Sequence, residues 1–293
     1  MDPKTVVWRF CDGKAGHERQ SAGLLRALET LRPLDVHTVR RGESLPRSRP
    51  QLAVGAGSAC AWRMVLTPSL RGAYRVYLMK PPCPAWLFDL CLVPRHDGLA
   101  EGSGIVVTDG VLNDLIPSAG PRSGPALVLV GGPSRHHGWD EQALLAQVAS
   151  VLDGTSETPV VVSDSRRTPA STTQALRRFA SARVSVVHHA EVGPGWLPTA
   201  LPRAPVAWVS ADSVSMLFEA LTAGCAVGVL DVPARRDDRI SGIAPSLLAR
   251  GLAGSLTDWR RTGHLAPPRE PVAEAVRCAV LIDRALAARG ARC

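Results

Sequence analysis

Apolar residues in this chain alternate between short unbroken runs and longer periodic ones. Val6–Phe10 reads as a buried strand, followed by a glycine-containing turn and a helix over about Glu18–Leu31. There Leu24, Leu25, Leu28 and Leu31 recur at the spacing of one helical stripe. Further strands are expected at Val36–Val39, Leu52–Gly55, Arg75–Met79, Asp89–Pro94 and Ile105–Thr108, with a helix over Cys60–Leu70. The pattern breaks at Pro117–Pro125, PSAGPRSGP, which reads as a linker. It then restarts with a strand at Ala126–Gly132, a helix near Trp139–Leu152, a strand at Pro159–Ser163, a helix near Ala170–Ala182 and a strand at Val184–His188. A strand at Pro205–Val209, a helix ending near Gly224, a strand at Ala226–Val232 and a last helix near Pro271–Arg289 complete it. Val272, Val276 and Val280 share one face of that last helix. Strand–helix alternation of this kind builds parallel sheets covered by helices. The expected architecture is α/β, in two halves of similar size with a cleft between them.

Composition narrows the setting. The 293 residues suffice for two domains, and 45% hydrophobic with 20% charged residues is a globular balance. No apolar run approaches the ~20 residues that span a bilayer, and the N-terminus lacks the apolar core of a signal peptide. The seven cysteines (Cys11, Cys60, Cys83, Cys91, Cys225, Cys278 and Cys293) include no CxxC pair and are expected to be reduced thiols in a cytoplasmic protein. The net charge of +8 comes mostly from arginine, since Lys4, Lys14 and Lys80 are the only lysines. Basic residues are scattered and aromatics make up 4%, a poor basis for stacking nucleic acid. A phosphate-bearing ligand or peripheral contact with an anionic membrane fits the charge better.

Candidate chemistry falls where strands end, which is where doubly wound sheets bind ligands. The most informative stretch is Ala207–Gly224, AWVSADSVSMLFEALTAG, running from a strand through Ser210, Asp212 and Ser213 into a helix. Small and hydroxyl residues at that turn leave a helix N-terminus open to an anion. Ser215 and Glu219 are four apart, so phosphate at the serines and a sugar hydroxyl pair at Glu219 suits a sugar nucleotide. After the first strand, DGKAGHERQ (Asp12–Gln20) offers Asp12 and His17 for acid/base work. Gly13, Lys14 and Gly16 form a turn there that is neither GxGxxG nor Walker-type. PRHD (Pro94–Asp97) supplies Asp97, although adjacent residues in an extended segment point opposite ways. GGPSR (Gly131–Arg135) and SDSRRTP (Ser163–Pro169) follow two later strands, and Arg166 or Arg167 suits a diphosphate. The pairs His136–His137 and His188–His189 match no metal-site spacing, and neither a metal nor another cofactor is expected.

DGKAGHERQSAGLLRAL, FDLCLVPRHD, SDSRRTP and VSADSVSMLFEALTAG occur in this order over about Asp12 to Gly228. Together they resemble the mitochondrial-fission, or "elongated mitochondria", family, whose members are regarded as candidate GT-B-type glycosyltransferases. Some are described as sugar-nucleotide epimerases. The resemblance implies a GT-B-like fold of two Rossmann-like domains, residues 1–117 on the acceptor side and 118–268 on the donor side. The remaining residues, 269–293, form a helix that crosses back to the first domain. Gly132 and Ser134 would border the donor phosphates, and Ser165 with Arg166 or Arg167 would neutralise the diphosphate. Ser213 and Ser215 would add helix N-terminal contacts, and Glu219 would take the ribose hydroxyls. His17 or Asp12 would be the base of an inverting transfer, with Asp97 as the other candidate. Two places depart from the family pattern: GAGSACAW lacks a basic residue and threonine after GAG, and AGCAV replaces a Gly-Lys-Pro turn.

The expected function is a metal-independent glycosyltransferase using a nucleotide-activated sugar, with a surface polysaccharide or lipid-linked glycan as acceptor. Its setting is the cytoplasm or the inner face of the membrane. A nucleoside-diphosphate-sugar epimerase and a non-catalytic nucleotide-binding scaffold are the rival readings.

Overall fold

The computed structural model describes residues 4–290 except 116, 118, 119, 156, 157, 194 and 271. The chain forms two compact units, Met1–Ile116 with Ala273–Cys293, and Pro117–Val272. Unit 1 contains β1 (Thr5–Cys11), α1 (Ala15–Glu29), β2 (Leu34–Arg40), β3 (Leu52–Ala56), α2 (Ser58–Leu66), β4 (Tyr74–Leu78), β5 (Leu90–Pro94) and β6 (Ile105–Thr108). Unit 2 contains β7 (Ala126–Leu129), α3 (Glu141–Gly154), β8 (Val160–Ser163), α4 (Ala170–Arg177), β9 (Val184–Val187), α5 (Trp196–Ala200), β10 (Val206–Ser210) and α6 (Val214–Ala223). It continues through β11 (Ala226–Leu230), α7 (Ile243–Ala249), β12 (Gly254–Ser255) and α8 (Leu256–Thr262). The chain then returns to unit 1 as α9 (Glu274–Gly290).

Each unit has one six-stranded sheet, ordered β2-β1-β3-β4-β5-β6 in unit 1 and β12-β11-β10-β7-β8-β9 in unit 2. The paired strands run parallel, with Val7 opposite Val36 on one side and Leu52 on the other. In each sheet the chain steps outward in one direction and then returns past its starting strand. The order therefore reverses between β1 and β3, and between β7 and β10. Loops on either side of such a switch point diverge and leave a crevice at the strands' carboxyl ends.

Alternating side chains build two cores in unit 1. Val7, Leu52, Val54, Val76 and Leu92 meet Leu24 and Leu28 of α1 together with Cys278, Ala279 and Ile282 of α9. Trp8, Phe10, Ala53, Tyr77 and Cys91 face the other way, against Cys60, Ala61 and Met64 of α2. Unit 2 packs Leu144 and Val148 of α3 and Leu256 of α8 against Val128, Val162 and Trp208.

Several boundaries differ from the sequence expectation. α2 stops at Leu66 because Pro68 pushes Thr67 out of the helical region, to φ −90° and ψ 107°, and Pro68–Leu70 forms a separate 3-10 turn. The exposed valine of α9 is Val276, while Ala275, Cys278, Ala279, Ile282 and Leu286 pack, so the valine stripe is not the docking face. Residues 118 and 119 of the expected linker lie outside the described residues. α5, α7, β12 and α8 are additional elements, each too short for a periodic signal. Among the described residues no helix is long and apolar enough to cross a membrane.

Candidate functional site

At the switch point of unit 1, Gly13 turns the chain out of β1 at φ +83°, and α1 begins two residues later. Asp12 Oδ1 accepts the Lys14 N–H at 3.1 Å, and Asp12 Oδ2 pairs with His17 Nδ1 at 2.8 Å. Burial pulls the Asp12 carboxyl upward, but the bonds from His17 and the Lys14 N–H outweigh it and hold it below the usual range. An ionised carboxylate thus orients an imidazole, an arrangement suited to a general base. Gly57, between β3 and α2, runs against this pair at φ +88°. A Cβ there would stand 2.4 Å from Asp12 Oδ2 and 2.6 Å from His17 Nδ1. A cavity of about 260 Å³ reaches Asp12, with Phe10, Val39, Cys60, Arg41 and Arg63 in its walls.

Gly16 lies in the first turn of α1 with open space around it, so the turn itself rests on Gly13. Asp97 lies elsewhere. It ends a 3-10 turn, Arg95–Asp97, where an extended segment was expected, and its Oδ2 accepts the Lys80 N–H at 3.3 Å. Three strand spacings, ~14 Å, separate β5 from β1. Asp12 and His17 come together and Asp97 does not join them.

In unit 2 the loops after β7, β8 and β10 are laced to one another. Ser210 Oγ accepts the Gly131 N–H at 2.7 Å, and Asp212 Oδ2 accepts the Gly132 N–H at 2.9 Å. The Arg167 guanidinium donates to Asp212 Oδ2 at 2.7 Å and to the Gly132 carbonyl, while Thr168 Oγ1 donates to the Gly131 carbonyl. A Cβ on Gly131 would lie 2.2 Å from Asp212 Oδ2, and one on Gly132 2.0 Å from the Arg167 carbonyl. The Gly132 N–H, Ser210, Asp212 and Arg167 are already engaged in holding the crevice together.

The other expected donor residues fall around this lacing. Ser134 Oγ accepts the His136 and His137 N–H groups at 3.1 and 3.0 Å. Ser165 closes the β8 turn, its Oγ accepting the Arg167 N–H at 3.3 Å, and Arg166 is exposed. Ser213 is the N-cap residue of α6 and its side chain makes no capping bond. Ser215 faces outward from the first turn, whereas Glu219, one turn on, is only 7% exposed, so the two do not share an environment. α6 ends at Gly224 in the left-handed region, φ +81°, so AGCAV leaves that helix end intact. An anion before α6 would meet the positive end of the helix. Two buried atoms of the crevice, Asp212 Oδ1 and His137 Nδ1, have no hydrogen-bond partner among the described residues.

Two polar clusters escaped the sequence reading. His136 Nδ1 pairs with Asp238 Oδ2 at 2.7 Å, a bond that drives the Asp238 carboxyl far below the usual range. Asp164, after β8, binds His188 Nδ1 at 2.6 Å and His189 Nδ1 at 3.1 Å, after β9. Their possible ligand atoms lie within 4.8 Å of one another, a set that could hold a metal ion. Adjacent histidines were visible in the sequence, but their carboxylate comes from the neighbouring strand.

Solved structures share this architecture. One from Listeria monocytogenes, described as a candidate UDP-N-acetylglucosamine 2-epimerase, matches with a TM-score of 0.61 at 11% identity over 97% of each chain. The UDP-GlcNAc 2-epimerase of Neisseria meningitidis, bound to UDP-GlcNAc, matches with 0.55 at 10% identity, over 97% of this chain and 99% of that one. MurG of Acinetobacter baumannii matches with 0.50 at 13% identity over 97% and 99%. At such identities the likeness shows the fold, which is GT-B. No functionally curated protein matches the sequence. The family model "Mitochondrial fission ELM1" matches residues 15–286, from the start of α1, which carries His17, through the unit 2 sheet and into α9. The chain therefore belongs to the mitochondrial fission ELM1 family.

Proposed function

We propose that this protein is a glycosyltransferase that takes its sugar from a nucleotide donor held by unit 2. The turn from Ser210 into α6 carries the reading. It sets a helix N-terminus and small hydroxyl residues at a switch-point crevice, with a buried carboxylate, Glu219, one turn further in. In this reading the diphosphate lies against the N-terminus of α6 and the exposed Arg166. Arg167 and Asp212 hold the crevice, and Glu219 takes the ribose. Leaving-group charge is met by arginine and the helix terminus, with no divalent ion at the diphosphate. His17, oriented by Asp12, is the base toward an acceptor hydroxyl, and the acceptor class is a surface polysaccharide or lipid-linked glycan.

Thermal unfolding against a panel of nucleoside mono- and diphosphates, without added metal, tests the pocket. A ligand at about a hundred times its Kd adds about 2.7 kcal/mol, several degrees for a chain of this size. Glu219→Ala and Arg166→Ala should each weaken that ligand by about tenfold, a loss of about 1.4 kcal/mol. His17→Ala should leave binding alone and abolish sugar transfer. Unchanged affinity in Glu219→Ala would remove the ribose role.

A nucleoside-diphosphate-sugar epimerase is the second reading, favoured by the epimerases among the structures of like fold. Conversion of the nucleotide sugar with no acceptor present would identify it. Nucleotide binding without any turnover would identify a scaffold.

A further inference from the structure

Among the described residues the exposed large hydrophobic side chains all belong to unit 1, and Leu45, Trp62, Leu66 and Trp86 among them fall within residues 44–88. The same stretch contains Arg47, Arg49, Arg63, Arg71, Arg75 and Lys80 and not one aspartate or glutamate. It supplies six positive charges, uncompensated within the segment, to a chain whose net charge is +8.

The fold gathers Trp62, Leu66 and Trp86 onto one side of the unit 1 sheet. α2 buries Cys60, Ala61 and Met64 in the Trp8–Phe10 core and turns Trp62 and Leu66, one helical turn apart, outward. The 3-10 turn Ala85–Leu87 packs Ala85 and Leu87 on that same core and leaves Trp86 79% exposed. Arg63 of α2 donates to the carbonyls of Arg40 and Glu43, which ties the loop carrying Leu45, Arg47 and Arg49 to the helix.

Single exposed apolar residues need no explanation. Two tryptophans and two leucines on a segment with six basic residues and no acidic one select a particular surface. Tryptophan settles at the headgroup level of a bilayer, arginine stems lie along apolar surface with the charge in the polar zone, and clustered basic residues are drawn to anionic lipid. Aliphatic side chains such as Leu66 offer nothing to a nucleic-acid backbone but partition into acyl chains.

We propose that this layer docks the protein peripherally on an anionic lipid surface. Trp62, Leu66 and Trp86 enter the headgroup region, and Arg47 and Arg49 meet lipid phosphates. The inference stands apart from the nucleotide-sugar reading, and its test needs no nucleotide.

The test is co-sedimentation of the full chain with vesicles of phosphatidylcholine alone or mixed equally with phosphatidylglycerol, at about 0.1 M and then higher salt. Wild type should sediment with the anionic vesicles only, less so as salt rises. Its tryptophan emission should be quenched by brominated acyl chains. The triple variant Trp62→Ala/Leu66→Ala/Trp86→Ala should partition at least about tenfold less with unchanged thermal unfolding, because the removed side chains are exposed. Arg47→Gln/Arg49→Gln should lower binding and flatten its salt dependence. Failure of wild type to bind anionic vesicles would overturn the proposal, as would a triple variant that binds like wild type. So would a dimer, seen by light scattering, that this variant abolishes.

Discussion

Asp164 is a buried carboxylate that accepts from Thr173 Oγ1, from the His189 N–H and from the Nδ1 atoms of His188 and His189. Burial alone would raise its pKa, yet these hydrogen bonds outweigh burial and leave it below 3.8. A carboxyl whose pKa is lower folded than unfolded stabilises the protein at pH above the unfolded value. That stabilisation is lost as pH falls through the folded one. Stability should therefore drop between neutral pH and pH values below about 3.9. Asp164→Asn should be destabilised at neutral pH by about 1–3 kcal/mol, with a smaller difference from wild type in acid. Urea unfolding of both proteins across pH measures this, and a constant gap would show that the carboxylate's charge contributes nothing.

At the scale of elements, α9 shows how a helical face is chosen. Its valines recur every four residues, yet the sheet takes the face with Ala275, Cys278, Ala279, Ile282 and Leu286, where small residues let the helix approach α1. Ile282 is fully buried, whereas Val276 is 36% exposed. Ile282→Ala should cost about 2–5 kcal/mol, the usual range for emptying a packed aliphatic site. Val276→Ala should stay within about 0.5 kcal/mol, as surface changes do. Denaturant unfolding distinguishes the two faces, and a larger loss at Val276 would reverse the assignment.

For the whole molecule, the chain's last helix completes the core of its first unit, with Arg32 holding Asp283 at 2.6 Å across that junction. A chain ending at residue 272 would leave Leu24, Leu28, Val54 and Leu78 without part of their packing partners. It should lose or sharply weaken the unfolding transition of unit 1 while keeping that of unit 2, whose core lies within residues 117–272. Calorimetry with hydrogen exchange would show which amides lose protection. Equal loss in both units would mean that they fold as one.

The sequence by itself determined the α/β class, the order of its main strands and helices, and the position of the candidate loops. Those depend on local periodicity and on glycine, proline and serine at strand ends. It also marked Asp12, His17 and the Ser210–Glu219 turn, because each set lies within one short stretch. Only the tertiary structure decided which distant groups meet. Arg167 is paired to Asp212, the two glycines after β7 are closed over by neighbouring loops, and Asp164 stands beside His188 and His189. The same holds for Glu219, which is buried while Ser215 is not, since burial depends on what packs against the helix and not on spacing along it. Strand order is set by long-range pairing, so the switch points that bring these loops to a crevice become visible only once the sheets are assembled.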